Sequence, residues 1–506
     1  MKKLKLTTTA LLATLFLSTA QAEQTVELTT SKAVGETMEL MVNPAGTIYV
    51  DWGDGVFVEY KGTTDAFRTI SGEVKGIEIT IKGSDTKWTM LNCSGQQITK
   101  INTKNAPYLK SLYCSNNAIS SFVKSYSPAL KDLDLSNNAL KSFAVSQASH
   151  PEMESLNISG NSIATNVGST GQFTFNGEAI QNVSIANNKF KKVNVASASM
   201  LDALNCAGNS IQTLNFEANS ALTTLLCADN NLTSVAGFEN ECSLQTLIAN
   251  NNNLTTIDIS GANELTHLNV NANQLTSITL PETTLRTMEC ADNSLTFGSL
   301  PVKKYKPTNL NLMPQANLVV TGGMKTAGNG VPYMDVCPSY NDRSKTEYVL
   351  NIGDLREGPG HSTSKSATIK AYRLDDNGNE TELTKATSTA PDNDYSYGAG
   401  KLAFFAPLKN VFLKLTHADY PELELVSDMF CVGEAIATGV ENITTSSNSL
   451  EIIANKGIVT LNANQRTLVE IYNLQGQLVW NGIIVGSKNI QLPSGAYIIN
   501  GKKISL

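Results

Sequence analysis

This chain has little of what most enzymes use. Its 506 residues include four histidines, His150, His267, His361 and His417, and three tryptophans. There is no H-E-x-x-H signature, no G-x-S-x-G elbow and no phosphate-binding P-loop. Ser121 to Lys124 and Ser362 to Lys365 match S-x-x-K without its companion motifs and read as coincidence. None of the eight cysteines forms a C-x-x-C, which excludes a thiol redox motif or zinc ribbon of that spacing. Lysine and arginine form no run, and the formal net charge is −7, so nucleic acid and anionic membrane are disfavoured as partners. Beyond the N-terminus no apolar run approaches the roughly 18 residues of a membrane-spanning helix. The expectation is a chain with no catalytic residues, no cofactor and no transmembrane segment.

The N-terminus, by contrast, has the layout of a secretory signal peptide. Met1-Lys2-Lys3-Leu4-Lys5 is followed by an apolar run from Ala10 to Leu17 and then by Ala20-Gln21-Ala22, which predicts cleavage before Glu23. Cleavage removes Lys2, Lys3 and Lys5 and no acid, taking the charge from −7 to −10. No cysteine stands near the site to carry a lipid anchor. The expected product is soluble and exported, secreted or at the cell surface. At this length several modules are expected rather than one core.

From about Trp88 to Leu295 an apolar and asparagine pattern returns ten times. Its inward marker falls at Cys93, Cys114, Leu135, Ile158, Ile185, Cys206, Cys227, Ala249, Val270 and Cys290. Steps are 20 to 23 residues, apart from the 27 between Ile158 and Ile185, where Gly168, Gly171 and Gly177 lie. Three residues after each marker stands an amide: Gln96, then Asn117, Asn138, Asn161, Asn188, Asn209, Asn230, Asn252, Asn273 and Asn293. Two residues further comes an aliphatic or Phe, from Ile98 to Leu295. A period of this length means a solenoid. Alternating pairs such as Leu133 and Leu135 point to one face of short strands stacked as a parallel sheet about 4.8 Å apart. The buried amide is there to bond turn backbone that has no strand partner. The pattern L-x-x-L-x-(C/L/I/V)-x-x-N-x-(L/I), as in Leu130, Leu133, Leu135, Asn138 and Leu140, resembles the leucine-rich repeat family. A weaker second alternation, as in Leu214 with Phe216 and Ile257 with Ile259, predicts extended or short 3₁₀ segments on the convex side. Five cysteines occupy the marker column, where they read as small buried hydrophobes. Cys93 with Cys114 and Cys206 with Cys227 are stacked neighbours within bridging reach. Cys337 and Cys431 are a candidate pair further on.

The flanks read as β modules, giving a mainly β architecture of a solenoid between β-sandwich domains. The predicted divisions are a signal peptide at 1–22, an N-terminal β cap at 23–87, the solenoid at 88–300, a β-sandwich at 301–437 and a C-terminal β domain at 438–506. A solenoid has to close its open apolar end, so a cap is the expected occupant upstream. There, Asp51-Trp52-Gly53-Asp54-Gly55 resembles the W-G-D-G turn of polycystic-kidney-disease-type sandwiches and of caps preceding Bacteroidetes leucine-rich repeats. Calcium at Asp51 and Asp54 is the sharper alternative to a plain turn, as it is at Asp375, Asn377 and Asn379 in a second turn. At the C-terminus, Val469-Glu470-Ile471-Tyr472-Asn473 with Gly476 and Val479, then Leu492-Pro493-Ser494-Gly495-Ala496-Tyr497-Ile498-Ile499, resembles the sorting domain of Bacteroidetes type IX secretion cargo. That resemblance implies surface delivery through export machinery.

Residues flanking the inward leucines project from the concave sheet, which makes Ser111, Tyr113, Asp132, Asp134, Asn157, Asn182, Asn205, Thr246, His267, Asn269 and Glu289 candidate binding residues. They are mostly small and polar, and only Tyr113 belongs to the residue types that dominate interface energetics. The expectation is recognition of a protein or glycan partner through many hydrogen bonds. A hydrolase with its site in 318–437 and a structural envelope component are the alternatives.

Overall fold

A computed structural model describes residues 23–506 apart from 44–45, 63–66, 85–87, 123–126, 144–149, 165–170, 176, 240–241, 284, 301–306, 319–323, 327–331, 335, 339–345, 353–354, 356, 360–365, 376, 388–393, 399–400, 434–449, 456–457, 474–476, 494–495, 501 and 506. The expected signal peptide lies outside the described residues. Two compact units divide the chain, Met1–Asn231 and Leu232–Leu506. No α-helix occurs among the described residues.

In the first unit, strict alternation buries Val26 and Leu28 on one face of the strand Glu23–Thr30. This strand lies antiparallel between Glu78–Ser84 and Ile98–Asn105, in a six-stranded sheet completed by Ile48–Asp51, Phe57–Tyr60 and Ser121–Phe122. An antiparallel pair of strands, Thr37–Val42 and Arg68–Glu73, joins the cap to the repeats, because Thr37–Val42 also pairs antiparallel with Met90–Asn92, the first repeat strand. The cap is therefore hydrogen-bonded onto the end of the stack, and it draws Ile98–Asn105 and Ser121–Phe122 from beyond residue 87, where the sequence placed its limit. Parallel in-register pairing then runs through Ser111–Tyr113, Asp132–Asp134, Ser155–Asn157, Asn182–Ser184, Ala203–Asn205 and Thr224–Leu226.

Every marker residue and every aliphatic or aromatic residue five positions later is fully buried. The asparagine between them forms a ladder. Asn188 Nδ2 donates to the carbonyls of Ile158, Ile185 and Ala186, while its Oδ1 accepts from Ile163 N. Asn138, Asn161, Asn209 and Asn230 repeat this arrangement. Each coil turns two residues after the marker through a left-handed residue, from Gly95 (φ 70°) and Asn116 (φ 56°) to Gly208 (φ 65°) and Asp229 (φ 54°) in this unit. Gln96 departs from its expected place in the ladder. Its Oε1 accepts from Glu39 N, tying it to the cap, and Asn117 Oδ1 accepts from Gln96 N as well as making the regular ladder bond from Ile98 N.

In the second unit, Thr246–Ile248, His267–Asn269 and Thr287–Glu289 pair with one another in parallel and in register. One coil more than the sequence pattern suggested is present. Asn309–Asn311 pairs parallel with Thr287–Glu289, Leu312 is buried behind it, and Gln315 takes the ladder position by donating to Cys290 O and accepting from Leu295 N. The stack thus extends beyond Leu300. The convex side is extended, as in the pairing of Thr256–Asp258 with Ser277–Thr279, with one 3₁₀ turn at Phe297–Ser299. Downstream, one sheet built around Leu408–His417, Thr368–Leu374 and Phe430–Val432 faces a second containing Thr346–Asn351, Lys401–Phe404 and Tyr395–Gly398. Phe430 meets Phe404 edge to face across the two, with ring centroids 6.2 Å apart. The C-terminal strands Leu450–Asn455, Ile458–Asn473, Leu478–Gln491, Ala496–Ile499 and Lys502–Ser505 form an antiparallel sheet with its own core of Val459, Leu461, Val469, Ile471, Ile484 and Ile499. Leu468 leaves that core to pack with Leu374, Phe412 and Met429 of the sandwich.

Candidate functional site

Most of the stacked repeat strands share one burial pattern. The middle leucine-type residue is buried, and its two neighbours are partly exposed on the opposite face. Because pairing is parallel and in register, those neighbours form two rows. In the first unit one row aligns Ser111, Asp132, Ser155, Asn182, Ala203 and Thr224, and the other aligns Tyr113, Asp134, Asn157, Ser184, Asn205 and Leu226. In the second unit Thr246, His267 and Thr287 align, as do Ile248, Asn269 and Glu289. The sequence-predicted residues therefore do share a face within each unit.

The two rows are not equivalent. In the second row, Asp134 Oδ1 accepts from Ser136 N at 2.8 Å, Asn157 Oδ1 from Ser159 N at 3.1 Å, Asn205 Oδ1 from Ala207 N at 3.2 Å and Asn269 Oδ1 from Asn271 N at 3.1 Å. These side chains cap the backbone where each strand ends, a local role open to short Asx side chains, and only their remaining polar atoms face outward. The first row has no such duty. Ser111 Oγ donates to Asp132 Oδ2 at 2.9 Å, and His267 Nδ1 lies 2.8 Å from Thr266 Oγ1. Burial, with the Asp132 and Asp134 carboxylates nearby, pushes the Tyr113 phenol up, so it stays a neutral hydrogen-bonding group at physiological pH. Glu289 accepts from both Asn269 Nδ2 and Asn271 Nδ2, a network that fixes its carboxylate.

The carboxylates of the two calcium alternatives have partners within or beside their own turns. Asp51 Oδ1 accepts three backbone N–H bonds, from Gly53, Asp54 and Gly55, and Asp54 pairs with Lys75 at 2.7 Å. The Lys75 ammonium holds the Asp54 carboxyl below its usual range. Asp375 accepts from Asn377 N, Asn379 N and Asn379 Nδ2. In the first turn backbone N–H groups and the Lys75 ammonium bond the carboxylate oxygens, and in the second turn N–H groups of Asn377 and Asn379 do. No group of three or more His, Cys, Asp or Glu suited to a metal occurs among the described residues. Trp52 is instead a packing residue. It is buried against Gly72, where an added Cβ would come within 2.1 Å of the indole, and its Nε1 donates to Tyr60 Oη.

In the marker column, burial pushes the Cys206 and Cys290 thiols up to about 12, as expected of small buried hydrophobes. The side chain of Cys337 lies outside the described residues, and Cys431 is a buried free thiol. Within the 27-residue step, residues 165–170 and 176 likewise lie outside the described residues, as do His361, Ser362 and Lys365. Sequence reasoning missed the left-handed column, although its signal was present. Across the ten repeats read from the sequence, Gly, Asn or Asp fills that position in all but the one with Ala272, at φ 52°.

Coils of this length, with an asparagine ladder behind a parallel sheet, define a leucine-rich-repeat solenoid. Among solved structures the chain is similar to a leucine-rich-repeat protein of Leptospira interrogans at 20% identity, covering 43% of this chain and 57% of that one (TM-score 0.36). It is also similar to YopM of Yersinia enterocolitica at 20% identity, covering 42% of this chain and 44% of that one (TM-score 0.34). InlJ of Listeria monocytogenes matches at 14% identity over 71% of this chain and 93% of its own (TM-score 0.26). The likeness is one of fold. Comparison with protein families and with curated proteins finds no match.

Proposed function

We propose that this protein is an exported recognition protein, displayed at the cell surface, that holds a protein or glycan partner on its concave strands. The observation carrying this reading is the pair of in-register rows. They offer closely spaced hydroxyl, amide and carboxylate groups on a sheet of strands paired in register, so the groups are pre-positioned. Around Tyr113 the rows supply acceptors at Asp132 and Asp134 beside one aromatic ring, which suits a polar partner rich in donors. Export rests on the signal-peptide pattern, and surface delivery rests on the resemblance of residues 438–506 to a sorting domain.

The test uses the chain from Glu23 onward against a glycan array and against immobilised envelope and extracellular-matrix proteins. A saturable partner bound at least tenfold more weakly by a Tyr113→Ala, Asp132→Ala, Asp134→Asn triple variant supports the reading. The Asn at 134 keeps the strand cap and removes only charge. Equal affinity of the variant and the parent rules this face out.

A further inference from the structure

The first two coils bring two thiols together at the point where the cap joins the stack. Asn92 and Tyr113 are register partners in adjacent parallel strands, and the next residue of each is a cysteine. Cys93 N donates to Tyr113 O at 2.8 Å, which continues the register through the pair. Strands so paired sit about 4.8 Å apart, inside the roughly 4.4–6.8 Å Cα window of a disulfide. Both side chains are fully buried and point the same way, and their sulfurs are 2.9 Å apart.

We propose that Cys93 and Cys114 form an intrachain disulfide when the chain folds in an oxidising environment, stapling the first coil to the second. The link closes a loop of 21 residues and fixes the strand that carries Tyr113. A small-molecule disulfide such as oxidised glutathione supplies the oxidising equivalents. One thiol loses its proton and its thiolate attacks the glutathione disulfide, releasing one glutathione thiolate. The second cysteine thiolate then attacks the mixed disulfide, forming the Cys93–Cys114 bond and releasing the second glutathione. Two cysteine thiols are oxidised and one glutathione disulfide is reduced to two thiols. Burial strongly disfavours the Cys114 thiolate once the coil has closed, so this exchange belongs to folding, before the solenoid excludes the reagent. Export matters here only as the source of the oxidant, and the chemistry can be tested without it.

The full chain from Glu23 is unfolded and reduced, then refolded in a mixture of reduced and oxidised glutathione, with recovery of β structure checked by circular dichroism. It is next denatured without reductant, alkylated and digested. The expected result is a peptide pair joined through Cys93 and Cys114 while Cys290 is alkylated. The linked pair should disappear in Cys114→Ala, a change the fold accommodates because Ala249 fills the same column. Once formed, the link should resist reductant in the folded protein and yield on unfolding. Full alkylation of Cys93 and Cys114 in refolded chain overturns the proposal. If refolding yields no β structure, chain secreted into an oxidising bacterial compartment is carried through the same alkylation, and alkylated Cys93 and Cys114 there overturn the proposal equally.

Discussion

Replacing Asn230 with alanine should damage the fold far more than replacing its neighbour. Asn230 is 7% exposed; its Nδ2 donates to Cys206 O, Cys227 O and Ala228 O at 3.0–3.2 Å and its Oδ1 accepts from Ile211 N at 3.0 Å. All four partners are backbone groups inside the coil, where water cannot replace the lost amide. At about 1 kcal/mol for each hydrogen bond, Asn230→Ala costs about 4 kcal/mol, a large share of the roughly 5–15 kcal/mol that holds a domain folded. Asn231 is exposed, and only its backbone enters the coil, through Asn231 N to Ile211 O. Its alanine variant should stay within about 0.5 kcal/mol of the parent. Chemical denaturation followed by circular dichroism compares the two, and native-state hydrogen exchange reads the Ile211 amide directly, since that proton should lose protection only in the Asn230 variant. Loss of less than about 1 kcal/mol with unchanged Ile211 protection would falsify the ladder as the element holding the coils together.

Further outcomes follow from single positions. Ala272 sits at φ 52° in a column filled by Gly, Asn or Asp in the other repeats read from the sequence; the left-handed strain of about 1–2 kcal/mol exceeds the entropy cost of glycine, about 0.5–1 kcal/mol, so Ala272→Gly should raise the denaturation midpoint, and a fall refutes the strain argument. Asp134→Ala removes the cap on Ser136 N and should cost about 1 kcal/mol, whereas Asp134→Asn keeps an acceptor and should unfold like the parent; thermal melts that rank the two equally remove the capping role. Burial raises the Asp428 carboxyl pKa, with Asn317 and Lys488 opposing that shift. Because its folded pKa is raised, its contribution to stability is complete below about pH 3.9 and is lost as pH climbs through the folded value. Asp428→Asn should therefore flatten the decline of urea stability between about pH 4 and 7, and a parent-minus-variant difference that does not change with pH contradicts the assignment.

The solenoid was legible because its demands repeat. A column must be apolar to fill the interior and another must carry an amide to serve turn carbonyls, and ten repetitions make both columns visible without any tertiary information. What was not legible is where one coil meets something that does not repeat. Gln96 looked like the first rung but bonds Glu39 N across 57 residues, and Gln315 became the last rung in a coil where Leu310 and Leu312 keep the usual spacing but Pro314, Gln315 and Asn317 replace the turn residue, the asparagine and the aliphatic residue of the pattern. Local pattern also said nothing of the Lys75 partner that occupies Asp54, nor of Gly72, whose missing side chain makes room for Trp52. The concave face has a different difficulty. Alternation correctly placed Asp134, Asn157, Asn205 and Asn269 on the outward side, yet the same atoms that could meet a partner are needed to end the strand. An Asx residue there satisfies the fold whether or not anything binds. Outward positions that do not cap a strand end, such as Tyr113, Asp132 and His267, are therefore where substitutions test the proposed binding with least disturbance to the coil.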